Sequence, residues 1–65
     1  MTEVSLRQQL EEVEVELVMR RRVFPRLAAS GKERQSVLDY RMARMEAVAA
    51  TLRRLVEAGD GGDGS

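Results

Sequence analysis

Apolar positions recur along the chain in steps of four and three. Leu6, Leu10, Val13 and Leu17 begin one series, and Arg20, Phe24 and Leu27 continue it in phase. Residues spaced this way lie on one face of an α-helix. Good helix formers fill the gaps, with Gln8, Gln9, Glu11, Glu12, Glu14 and Glu16 between the apolar positions. A second series, Leu38, Met42, Met45, Ala49, Leu52 and Val56, steps the same way. Val37, Val48 and Leu55 lie beside that seam and widen it to an arc of roughly 140° at 100° per residue. The pattern predicts one helix over about residues 3–29 and another over about 33–58. At 1.5 Å per residue each is about 38 Å long. Period-two alternation occurs only over Val13-Glu14-Val15-Glu16-Leu17, where the flanking pattern decides for helix.

The breaks in the pattern define the connection. Pro25 lacks an amide donor and collides with the carbonyl of Arg21, so the first helix must kink there or stop and restart. Because Leu27 stays in phase with Phe24, a kinked continuation is the favoured reading. Gly31 then ends the helix as a left-handed cap. Thr2 and Ser5 are both candidates for the N-cap of the first helix. For the second helix, Ser30 with Glu33 matches a capping box, whereas a cap at Gly31 moves the start towards Lys32 to Arg34. The helix should fade at Glu57 or Ala58, and Gly59-Asp60-Gly61-Gly62-Asp63-Gly64-Ser65 is expected to form a flexible Gly/Asp tail. Matched lengths and a short connection predict an all-α antiparallel hairpin over residues 1–58.

Two helices cannot hide all of this apolar surface. Val4, Val15, Val18 and Met19 fall on the side of the first helix opposite its seam, in line with Arg22 and Arg26. Left exposed, such a patch marks an interface. Dimerisation into a four-helix bundle would cover it, with Val15, Val18, Met19, Val48 and Leu55 as the expected dimer contacts. At 65 residues, a monomeric core is marginal, and the chain has neither Cys nor His, which excludes disulfides and the two commonest zinc ligands. Oligomerisation and very good helix packing are the remaining routes to stability.

The formal net charge is zero, which argues against gross electrostatic attraction to nucleic acid or anionic membrane. The charge is unevenly placed, however. From Glu3 to Glu16 five acids meet only Arg7, whereas Arg20 to Arg34 holds six basic residues against Glu33. Acids early and arginines late complement a helix dipole. No apolar run is long enough to cross a membrane, and Met1-Thr2-Glu3-Val4 lacks the pattern of a secretory signal, so a cytoplasmic location is expected.

No catalytic constellation emerges. Without His or Cys a conventional triad or thiol nucleophile is excluded. Glu11, Glu12, Glu14 and Glu16 are spread around the helix and lack the Glu-x-x-His pattern of carboxylate bundles. The glycines from Gly59 to Gly64 follow no strand and open no helix, unlike a phosphate loop. No enzyme activity, cofactor, metal or small-molecule substrate is expected. Met42 and Met45 at seam spacing read as core rather than as a binding groove. Tyr40 falls off the stripe; packing on Phe24 or Pro25 and exposed contact both remain open. The strongest local feature is Arg20-Arg21-Arg22-Val23-Phe24-Pro25-Arg26. Arg20, Arg21, Arg22, Phe24 and Arg26 are the candidate partner-binding residues, since guanidiniums grip carboxylates or phosphates and aromatics anchor interfaces. The bland reading is that late-helix arginines pair with acids of a neighbouring helix.

The stretch Arg20-Arg21-Arg22-Val23-Phe24-Pro25-Arg26-Leu27-Ala28-Ala29-Ser30-Gly31-Lys32, with Asp39 and Met45-Glu46-Ala47-Val48 beyond it, resembles a group of small bacteriophage and prophage proteins. These carry an arginine run, a Val-aromatic-Pro, a Ser-Gly-Lys turn and a later Met-Glu-Ala-Ile. The likeness covers about half of the chain, and Arg34 stands where that group often has a capping Thr. It implies phage origin, a bacterial host cytoplasm, and a protein that binds and inhibits or redirects a host or phage protein. In size, hairpin and acidic glycine tail alone, the chain is also similar to plasmid copy-number regulators that dimerise into four-helix bundles and bind paired RNA loops. The leading expectation is therefore a non-enzymatic homodimer that binds a protein. The alternative is a small dimeric RNA- or DNA-binding regulator using the same arginines, whose affinity would fall steeply with salt.

Overall fold

In a computed structural model, residues 3–59 are described, and they form two α-helices joined by a five-residue turn. Helix α1 spans Leu6–Ala29 and helix α2 spans Gln35–Ala58. The two pack as a hairpin, and no strand occurs among the described residues. Glu14 stands beside Arg53 and Arg21 beside Glu46, so seven steps up α1 match seven steps down α2. This register is antiparallel.

Helix α1 begins later than periodicity alone suggests because Ser5 closes a capping box. The Gln8 amide donates to Ser5 Oγ at 3.0 Å, and the Ser5 amide donates to Gln8 Oε1 at 2.9 Å. Of the two N-cap candidates, Thr2 lies outside the described residues and Ser5 is the cap. With the start at Leu6, Glu3 falls before the helix and the first turn holds no acid. The expected dipole complementarity is therefore confined to the other end, where Arg26 sits in the last turn.

Helix α1 runs through Pro25 without ending. Leu27 stays half-buried in phase with Phe24, which shows that the seam crosses the proline. The helix closes in a Schellman turn: the Lys32 amide donates to the Leu27 carbonyl and the Gly31 amide to the Ala28 carbonyl, each at 3.1 Å. Gly31 takes a φ of 77°, the left-handed conformation that such a turn demands.

Helix α2 starts at Gln35, two residues past the expected boundary. The Schellman turn uses Gly31 and Lys32, and the Ser30 hydroxyl donates back to the Leu27 carbonyl at 3.1 Å instead of capping α2. Arg34 occupies the N-cap position and offers no side-chain acceptor. At the far end the Gly59 amide donates to the Leu55 carbonyl at 2.8 Å, with a φ of −100° that any residue adopts. The expected flexible tail falls, after Gly59, outside the described residues.

Every seam position is sheltered. Leu17 and Phe24 of α1, and Leu38, Ala49 and Val56 of α2, are buried. Leu6, Leu10, Val13, Arg20, Leu27, Met42, Met45 and Leu52 are half-buried around them. Leu38 is the most enclosed large side chain, 1 % exposed. Full burial of such a residue contributes about 1.5–3 kcal/mol, so these few side chains hold the hairpin together.

Candidate interaction surfaces

The arginine run does not act as a unit. Consecutive helix positions differ by about 100°, so Arg20, Arg21 and Arg22 point three ways. Arg20 turns into the hairpin, its side chain only 17 % exposed. Its Nε donates to Glu16 Oε2 at 2.9 Å and its Nη1 to the Arg41 carbonyl at 3.1 Å. A carbonyl with two lone pairs accepts this bond beside a helical one. The guanidinium also lies 5.6 Å from the centre of the Phe24 ring, and that of Arg41 lies 5.1 Å from it. Phe24 is thus buried and flanked by two cations, an arrangement worth about 0.5–2 kcal/mol per cation. Both residues belong to the hairpin's own packing, although both were also candidates for partner contact.

Arg21 leans to one flank, 4.0 Å from Glu46, and Arg53 meets Glu14 at 3.3 Å on that same flank. All four side chains are about half exposed, where ion pairs contribute little. Arg22 and Arg26 point away from α2, exposed, and form no ion pair among the described residues. Of the acidic series, Glu14 and Glu16 are engaged in these pairs, while Glu11 and Glu12 face solvent. No group of three or more potential metal-ligating side chains occurs among the described residues.

The surplus apolar residues divide between two separate places. Val15, Val18 and Met19 form a ridge on the outer side of α1 and are 54 %, 53 % and 55 % exposed. At roughly 100° per residue this ridge stands about 180° from the seam, so α2 cannot reach it. Val37, Val48 and Leu55 are also exposed, about 80–100° from the seam of α2. They lie on the flank opposite the Arg21–Glu46 and Arg53–Glu14 pairs, where Val48 joins Arg20, Arg41, Arg44 and Met45 in lining a shallow depression. The five expected dimer contacts therefore do not make one continuous patch. Val15, Val18 and Met19 share one surface, and Val48 and Leu55 share another.

Tyr40 resolves to the exposed alternative. Arg44 lies over its ring at 5.4 Å, and the residue is 64 % exposed. Neither helix is long and apolar enough to cross a membrane. Sequence reasoning missed Arg41, whose carbonyl and guanidinium both attend the Arg20–Phe24 cluster; its charge carried no seam signal. No family model, curated protein or solved structure matches the chain.

Proposed function

We propose that this chain is a non-catalytic docking module that pairs with a second copy of itself and binds a host or phage protein in the bacterial cytoplasm, inhibiting or redirecting it. The observation that carries this reading is the apolar ridge of α1. Three large side chains adjoining one another on the outer side of α1, each more than half exposed, exceed the scattered apolar exposure normal for a surface. The ridge continues into Arg22 and Arg26, which gives it a basic end. Because Arg20 and Phe24 hold the hairpin, the cations left for a second protein are Arg21 and Arg26, with Arg22 shared between the ridge and the tip.

Two measurements test the reading. Sedimentation equilibrium should return about twice the 7.3 kDa chain mass at micromolar concentration, and a clean monomer there would remove the self-pairing. Partner binding is tested by capture from a bacterial lysate with the native chain and with Arg21→Ala/Arg26→Ala. Loss of a specific protein from the variant is the expected result; identical recoveries would remove the basic tip from recognition. Titration with duplex and looped RNA at two salt concentrations supplies the remaining check. Salt-sensitive RNA binding would move the arginines to nucleic acid.

A further inference from the structure

We propose that the second copy docks along the outer ridge of α1, antiparallel and about a two-fold axis, so that Glu11 of each chain meets the partner's Arg22. This rests on the self-pairing proposed above and assigns its surface and register.

The argument starts from spacing. Gln8, Glu11, Val15, Val18, Arg22 and Pro25 follow steps of three, four, three, four and three. Such steps define a helical seam, and this one lies opposite the seam that faces α2. All six residues are exposed, so the line is unoccupied by the hairpin itself. The series of steps reads the same in both directions. A two-fold axis perpendicular to α1 therefore lays the seam on itself with every position matched. Val15 then falls against the partner's Val18, Glu11 against the partner's Arg22, and Gln8 against the partner's Pro25. Each contact occurs twice, as an isologous interface requires.

Charge selects this arrangement. The acids of α1 precede its centre and its arginines, Arg7 apart, follow it, so reversing one copy brings opposite signs together at both ends of the apolar pair. A parallel arrangement would set Glu11 on Glu11 and Arg22 on Arg22. Among the described residues neither Glu11 nor Arg22 has an ion-pair partner within its own chain, so both are free to pair between chains. Met19 lies beside Val15 and covers one edge of the apolar centre. The exposed flank of α2 offers no such match. Two copies related about Val48 would set Arg41 against Leu55 and Arg44 against Leu52, charge against apolar residue.

Charge reversal and exchange test the register. Glu11→Arg and Arg22→Glu should each weaken self-association by about tenfold, because each creates two like-charge contacts per dimer. The double variant Glu11→Arg/Arg22→Glu should restore it to within about threefold. Circular dichroism should show unchanged helix content in all three, since both positions are exposed. The chain has no cysteine, so introduced cysteines report the contact without background. Under oxidation a mixture of Val15→Cys and Val18→Cys chains should cross-link to the mixed dimer in preference to either chain with itself, and Val48→Cys should not cross-link. A dimer insensitive to both reversals, or one cross-linked through Val48→Cys alone, would overturn this surface while leaving the self-pairing intact. A monomer of native sequence at about 100 µM would overturn both.

Discussion

Arg34 begins α2 in the extended conformation of an N-cap, φ −74° and ψ 141°, with a side chain that has no acceptor. Its charge also opposes the positive end of the helix dipole. Arg34→Asp should therefore stabilise the hairpin by about 1 kcal/mol, accepting from the amide of Ser36 or Val37. For a domain of this size the melting temperature should rise by about 4–8 °C, measurable by circular dichroism. Gly31 gives the opposite case. Nothing lies within 4 Å of a Cβ placed there, so the cost of Gly31→Ala comes from the φ of 77° alone. Chemical denaturation should show a loss of about 1–2 kcal/mol with the denaturant slope unchanged.

At the scale of the element, Pro25 is the residue that works against its helix. It sits inside α1 and offers no amide to the Arg21 carbonyl. It is exposed, so its ring contributes little packing to set against that loss. Pro25→Ala should raise stability by about 1–3 kcal/mol, and an unchanged denaturation midpoint would show that the turn above Phe24 is supported by other means. Both helices were legible from spacing alone because each seam keeps its four-three rhythm from end to end, even across the proline. The helix starts were less legible. Thr2 and Ser5 were equal candidates for the N-cap until Gln8 closed a capping box with Ser5, and Ser30 looked like a cap for α2 until its hydroxyl was claimed by Leu27. Periodicity also places residues around one helix without telling which flank of its neighbour they meet. The contacts across the hairpin supply that: Arg20 turns towards the flank of Arg41 and Val48, while Glu14 and Arg21 meet the flank of Arg53 and Glu46. Arg20 was legible as a seam member but not as a clamp, since its acceptor is a backbone carbonyl, a group every residue shares.

For the whole molecule, a core with a handful of buried side chains sits near the lower limit of independent stability. Burial of the α1 ridge between two copies would add to that stability by mass action. The midpoint of thermal unfolding should therefore rise as the protein is concentrated from about 5 to about 500 µM. Val18→Lys should abolish that dependence by placing an ammonium at the apolar centre, while the dilute chain remains helical because Val18 makes no contribution to the hairpin seam. A midpoint independent of concentration for the native sequence would mean that the hairpin stands alone.

The two helices have the same number of residues and run side by side in opposite directions. Residues 3 and 59 therefore emerge at one pole, and the Gly31 turn occupies the other. A reporter fused at either of those residues would project away from the turn and leave the tip arginines unobstructed. A short linker between them would close the backbone, allowing new ends to be opened between Lys32 and Glu33, both exposed, with the two helical rods left whole.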